Sequence, residues 1–242
     1  MSPEAFQRPL GDYITDFTTD FRLDPARTAL VVVDMQYATG SRHHGLGRRL
    51  METGRFEEAR WRFDRIENIV VPNIRRLLAF FRGKGLPVVY LVIGAEREDF
   101  SDMPAHMRAL ARSTNNRVGT REHEILDEVK PAPGDLVFRK TTISAFTSTG
   151  LDTALRALGV TDLVFVGIST NMCVDTTARD AADRGYRCLL VEDACAAAKE
   201  EYHRFALLNF QRLFGRVART DEVLAELEAP VGLAPDSGTH RP

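Results

Sequence analysis

The chain has 242 residues, 44% of them hydrophobic, which suits one large domain with a sizeable core or two small ones. Its formal net charge of −2 gives no electrostatic reason to expect nucleic acid or an anionic membrane as partner. No apolar run approaches the roughly 20 residues needed to span a bilayer, and the polar N-terminus lacks a signal-peptide core, so a cytoplasmic protein is expected.

Residues 1–25 read as an N-terminal arm whose aromatics, Phe6, Tyr13, Phe17 and Phe21, call for a surface to pack on, in this chain or a neighbouring copy. Thr28 to Asp34 is a Val-rich run, as a strand buried on both faces requires. Ser41 to Arg62 is longer and more charged than a strand–helix connection needs. Glu57 to Arg82 is helical in pattern, with Ile66, Val70, Ile74, Leu77 and Phe81 near 3.6 spacing. Pro72 either starts a new helix there or kinks a continuous one, and Gly83-Lys84-Gly85 closes it. Pro87 to Ile93 is a second strand. Ala95 to Arg121 reads as a long loop with a short helix, and loops of that length are often functional.

After the Pro133-Gly134-Asp135 turn, Asp135 to Arg139 forms a third strand. A helix over Leu151 to Leu158, a strand over Asp162 to Gly167 and a helix over Thr176 to Arg184 follow. Arg187 to Asp193 is a fifth strand, residues 199–214 a helix, and Arg216 to Ala218 a short strand. Residues 229–242 read as a flexible tail. Strands alternating with helices predict an α/β domain over residues 26–228, with a parallel sheet and right-handed crossovers. Ligands in such sheets bind beyond the carboxyl ends of the strands.

Three residues with chemical potential fall at those ends: Asp34 after the first strand, Lys140 after the third and Cys173 beyond the fourth. A thiol at a strand–helix junction meets unpaired N–H groups and the positive end of the helix dipole, which favour the nucleophilic thiolate. Singly, each has a plainer explanation: a cap, a solvated charge, a small buried hydrophobe. Together they form a base, a cation and a nucleophile suited to attack on an amide carbonyl. Cys188 inside the fifth strand and Cys195 in an Ala-rich turn after it read as structural, and three cysteines support neither a disulfide framework nor a CxxC metal pair.

The segments Leu30–Gln36, Lys140–Phe146 and Gly167–Val174, with Thr177–Ala181 after them, resemble the isochorismatase-like cysteine hydrolase superfamily over roughly Ala26 to Glu226. The resemblance implies a three-layer αβα fold with a six-stranded parallel sheet, and an Asp34–Lys140–Cys173 triad. It also implies a cis peptide between Ile168 and Ser169 and an oxyanion hole from the N–H groups of Ser169 and Cys173. In nicotinamidase-type members a metal site lies near the second strand; here Ile93 to Asp99 lacks the Asp-His-Pro of that site, and adjacent His43 and His44 diverge. No metal is therefore expected. Gly45-Leu46-Gly47 follows no strand directly, so no dinucleotide cofactor is expected either.

Thr170-Asn171-Met172-Cys173-Val174 is similar to ureidoacrylate and biuret amidohydrolases and their N-carbamoyl-hydrolysing relatives. That likeness implies a small amide, ureido or carbamoyl substrate, cleaved at a C–N bond through a thioester. Gln36, Tyr37, Phe146 and Asn171 are candidate pocket residues, with core packing as the alternative for Phe146 and helix capping for Asn171. His43, His44, Arg97 and Arg108 are weaker candidates for a substrate carboxylate. Two other activities stay open: vinyl-ether hydrolysis of the isochorismatase type, against which the retained Cys173 argues, and a catalytically silent binding or assembly member, which the Ser41 to Arg62 stretch would suit. Family habit implies a homo-oligomer, dimer or tetramer.

Overall fold

A computed structural model describes residues 12–18 and 20–229. Phe6 of the predicted arm and the predicted tail from Pro230 lie outside the described residues. Strands β1 (Thr28–Val33), β2 (Val88–Ile93), β3 (Leu136–Lys140), β4 (Asp162–Ile168), β5 (Arg187–Ala196) and β6 (Arg216–Ala218) make one six-stranded sheet. Every pairing is parallel, in the order β3-β2-β1-β4-β5-β6. All residues of β1, β2 and β4 are buried, as their unbroken apolar runs require in a sheet covered on both faces.

The helices are α1 (Tyr37–Gly40), α2 (Gly45–Glu52), α3 (Arg60–Arg65), α4 (Val71–Gly83), α5 (Ala105–Ser113), α6 (Ala145–Ser148), α7 (Leu151–Ala157), α8 (Asp175–Asp183), α9 (Glu200–Gln211) and α10 (Thr220–Glu228). Alternate strand residues feed two separate cores. Leu30 and Val32 face Ile74, Leu77 and Phe81 of α4 and Val223 of α10. Ala29, Val31 and Val33 face the other side, with Leu155 of α7, Ala178 of α8 and Leu207 of α9. The result is three layers, helix–sheet–helix.

Connections leave β1 toward β2 and β3 on one side and β4 toward β5 and β6 on the other, so the strand order reverses between β1 and β4. A crevice opens at the carboxyl ends there. Asp34 follows β1 directly; Ser169 follows β4.

Several elements depart from the sequence pattern. The stretch from Phe56 to Gly83 is not one helix: a 3-10 turn (Phe56–Ala59), α3, a π turn (Ile66–Val70) and α4 follow without a gap. Pro72 lies in the first turn of α4, where a missing N–H costs nothing, and the π turn precedes it with Val71 N–H bonded to Ile66 O. The Ser41 to Arg62 stretch holds α2, the 3-10 turn and the start of α3. β5 runs on to Ala196, so Cys195 belongs to the strand, opposite Gly167, and not to a turn. The described part of the arm packs on its own chain. Asp12 pairs with Arg212, the Thr18 hydroxyl donates to Arg212 O, and the Phe21 ring lies against the guanidinium groups of Arg187 and Arg216. Among the described residues no helix is long and apolar enough to cross a membrane.

Candidate active site

Asp34, Lys140 and Cys173 come from three different strand ends and meet in one place. Asp34 adopts a left-handed backbone, φ 50°, which a short acidic side chain tolerates, and its N–H donates to Leu91 O of β2 at 2.9 Å. Lys140 closes edge strand β3; its Nζ donates to Asp34 Oδ2 at 2.9 Å and to the carbonyls of Thr142 and Ile143 at 3.2 Å each. Both side chains are withdrawn from water, 0% and 3% exposed. Asp34 Oδ1 is buried with no hydrogen-bond partner among the described residues.

The electrostatics follow from burial. Desolvation raises the Asp34 carboxyl above its ordinary range, against the pull of the Lys140 charge. Burial opposes the Lys140 ammonium, but the charges of Asp34 and Cys173 outweigh it and hold the lysine above its usual value. Burial, then the Asp34 charge, pushes the Cys173 thiol up to about 12, with Lys140 acting in the opposite sense. Lys140 therefore rests as an ammonium and Cys173 as a neutral thiol.

Cys173 lies in a π turn (Thr170–Val174) that leads straight into α8, within the first turns of the helical stretch rather than at its cap. The peptide bond between Ile168 and Ser169 is cis. Gly167 before it has φ 115°, and a Cβ there would lie 2.1 Å from Val33 O, so only glycine fits between β4 and β1. The turn is pinned from two sides. Arg62 NH1 donates to Ser169 Oγ at 2.9 Å, and Thr170 Oγ1 meets His203 Nδ1 at 2.8 Å.

A cavity of about 50 Å³ opens over the triad, with Asp34, Ser169 and Cys173 in its wall. Met103, Met107, Leu110 and Ala111 of α5 and its approach, and Met172 beside the thiol, make it mostly apolar; Thr39, Thr114 and Asn116 add polar groups. The predicted long segment after β2 thus supplies much of the wall.

None of the four candidate pocket residues lines this cavity. Gln36 is 1% exposed and spends its amide on the main chain: Oε1 accepts from Ile93 N–H, and Nε2 donates to Ile93 O and His123 O. Tyr37 is buried against Arg121 and His44, with its hydroxyl accepting from Asp127 N–H. Phe146 belongs to the core, against Tyr186. Asn171 is exposed. Gln36 and Tyr37, polar residues just after a strand, looked like pocket lining but are aimed at protein instead. The weaker candidates also lie elsewhere. His43 is exposed, His44 meets Ser41 Oγ, Arg97 bonds Asp99 and Ser101, and Arg108 donates to main-chain carbonyls. Among the described residues no cluster of three or more His, Cys, Asp or Glu could hold a metal ion.

Two residues at the site were not singled out from sequence. Arg62 is 3% exposed and pairs with no carboxylate among the described residues; its Nε donates to Thr39 O at 3.1 Å. Burial depresses its guanidinium to about 10, partly offset by the Cys173 charge. Asn116 enters through the irregular segment after β2. Arg62 closes the long charged stretch from Ser41, and Asn116 stands in a stretch with no periodicity, so neither carried a signal beyond its polarity.

An isochorismatase domain model matches residues 28–222. The ureidoacrylate amidohydrolase RutB of Methylobacterium radiotolerans is 34% identical over 211 residues, covering 81% of this chain and 78% of that protein. Its namesake in Pseudomonas savastanoi pv. phaseolicola is 31% identical over 234 residues, 87% of each chain. Among solved structures, a cysteine hydrolase from Pseudomonas syringae pv. phaseolicola superposes with a TM-score of 0.72 at 28% identity, covering 87% of this chain and 97% of that one. N-carbamoylsarcosine amidase from Thermoplasma acidophilum superposes with a TM-score of 0.62 at 32% identity, covering 81% and 97%. The chain belongs to the isochorismatase family.

Proposed function

We propose that this protein is a cysteine-dependent amidohydrolase that cleaves a C–N bond of a small amide, ureido or carbamoyl substrate. The observation that carries it is the division of labour at Asp34. Lys140 holds Oδ2, which leaves Oδ1 as a buried, open acceptor beside a buried thiol. The relatives named for ureidoacrylate and N-carbamoylsarcosine support the substrate class. The cavity has room for roughly four waters, which suits a short linear molecule.

The chemistry runs in two halves. Asp34 takes the Cys173 proton as sulfur attacks the carbonyl carbon, so no free thiolate need persist in a site that disfavours it. The main-chain N–H groups of Ser169 and Cys173 receive the oxyanion. Arg62 adds a fixed positive charge behind Ser169 and holds that residue in place. The C–N bond breaks, and the leaving nitrogen takes the proton from Asp34. Water then gives a proton to Asp34, its oxygen adds to the thioester, and sulfur leaves, taking that proton back from Asp34 as the restored thiol. Lys140 stays charged throughout and favours the ionised form of Asp34 between proton transfers.

Residues 26–228 form the hydrolase domain in this account, acting in the cytoplasm as a dimer or tetramer; Tyr202 and Phe205, exposed on α9, are consistent with a further contact. The test is ammonia release from primary amides, ureido acids and biuret analogues. At least one should be turned over by the wild type and none by Cys173→Ser of unchanged circular dichroism. Ammonia release that survives the substitution would overturn the covalent step through Cys173 and point to direct attack by water.

A further inference from the structure

We propose that Asn116 anchors the substrate, its side-chain NH2 donating to an acceptor oxygen other than the scissile carbonyl; the inference rests on the amidohydrolase function above. Gln36 is fixed without ambiguity, because its Oε1 accepts from Ile93 N–H and its Nε2 donates to Ile93 O, both at 2.9 Å. The second Nε2 hydrogen goes to His123 O at 2.8 Å. Nothing remains on Gln36 for the His123 ring, although Nδ1 is 3.2 Å away.

His123 Nδ1 also faces the Asn116 side-chain oxygen at 3.1 Å. Two arrangements satisfy that contact. Either the ring donates from Nδ1 to Asn116 Oδ1, or Asn116 is turned over and donates to a bare Nδ1. The second would place a hydrogen on His123 Nε2, which is buried and has no partner among the described residues. A buried N–H without an acceptor is rarer than a buried lone pair without a donor. It would also turn an amide NH2 toward the Gln36 NH2, 3.4 Å away, where Asn116 Oδ1 now lies. The first arrangement therefore holds. Burial disfavours a charged ring and takes His123 down to about 4, so it stays a neutral, single donor at neutral pH.

With Oδ1 committed, the Asn116 NH2 is left with two hydrogens. Asn116 is 5% exposed and lines the cavity that holds Asp34 and Cys173. No partner for this NH2 exists among the described residues, and it is not among the wholly enclosed unpartnered atoms. The neighbouring Thr114 hydroxyl is already spent on Leu110 O and Ala111 O. Gly94 makes the clamp possible: a Cβ there would lie 2.5 Å from His123 Nδ1 and 2.9 Å from Asn116 Oδ1. Gln36 and His123 are thus positioning residues, and Asn116 is the one that meets substrate. In a mostly apolar cavity whose other polar side chains away from the reacting groups are Thr39 and Thr114, a held donor selects molecules with a carbonyl or carboxylate oxygen over alkyl-ended ones.

The test is calorimetric binding to Cys173→Ser, which needs no turnover. The ligands are N-carbamoylglycine, its neutral amide N-carbamoylglycinamide, and n-propylurea, which has the same length and no acceptor oxygen besides its urea carbonyl. Both acceptor-bearing ligands should bind at least about 10-fold more tightly than n-propylurea. Adding Asn116→Ala should erase that preference while leaving n-propylurea binding within about 2-fold. Asn116→Asp, which keeps the shape and removes the donor, should reverse it for N-carbamoylglycine and guards against an alanine variant that does not fold. Preference unchanged by either substitution, equal weakening of all three ligands, or no preference at the outset would overturn the assignment. Ammonia release by the wild type reports on the hydrolase function independently.

Discussion

Lys140 Nζ lies 2.9 Å from Asp34 Oδ2 with both groups out of water, so each is the other's only opposite charge at close range in the buried triad. Removing one partner of a buried pair leaves an uncompensated charge, which costs about 3–5 kcal/mol. Lys140→Met should therefore lose stability on that scale in urea denaturation, and it should also lose activity, because an unpaired Asp34 takes up a proton. Asp34→Asn should be as inactive as Lys140→Met. A Lys140→Met variant with wild-type stability and turnover would show that the pair is not coupled to the chemistry.

The pH profile follows from the same burial. Asp34 must be ionised to accept the thiol proton, and its carboxyl is raised above 3.8, so activity should climb through an acid limb centred above that value. On the alkaline side, Lys140 is held above 10.5 and Cys173 reaches about 12. Arg62 is the first to lose its charge, at about 10, so above the acid limb the rate should stay level until that value and then fall, as initial rates of ammonia release will show. A bell centred near neutrality, with a thiol-like limb at pH 8–9, would contradict the assignment of a neutral resting thiol.

Arg62 is a buried cation with no carboxylate partner among the described residues, 2.9 Å from Ser169 Oγ. Its charge is of use where negative charge develops, not where substrate first binds, since it stays outside the cavity wall. Arg62→Met should lower kcat by about 10- to 100-fold with little change in KM, and Arg62→Lys should restore part of the loss. A rise in KM alone would make Arg62 a substrate-binding group.

How much of this was legible in the sequence depended on the kind of signal. Asp34 directly follows β1, Lys140 ends β3 and Cys173 lies in the turn beyond β4, so chain order alone brought them to one edge of the sheet. Arg62 could not be read that way. It lies between Arg60 and Arg65 in a highly charged stretch, and only the tertiary packing of α3 against the end of β4 buries one of the three almost completely. Asn116 depends on a turn after α5 that has no repeating pattern. Gln36 was the instructive error: its place after β1 is right, but its amide completes the main chain of β2 and clamps His123, so it shapes the pocket from behind.

Gly167 carries a backbone prediction with an internal control. A Cβ at Gly167 meets Val33 O at 2.1 Å, whereas one at Gly134, also at positive φ, meets nothing within 4 Å. Gly134→Ala should cost only the conformational penalty, about 1–2 kcal/mol, and leave turnover intact. Gly167→Ala should cost more than that in thermal denaturation and abolish turnover, because β1 and β4 must part where Asp34 and Ser169 emerge. Equal stability of the two variants would show that the crevice yields without loss.

The most direct test of the central claim, a Cys173 nucleophile activated by Asp34, is alkylation with limiting iodoacetamide at neutral pH, mapped by peptide mass spectrometry. All three cysteines are buried, and burial raises each thiol, so exposure and acidity alone do not single one out. The account predicts that Cys173 is modified well before Cys188 and Cys195, and that Asp34→Asn slows its modification by about 100-fold or more. Labelling of all three at similar rates, or a Cys173 rate indifferent to Asp34, would contradict it.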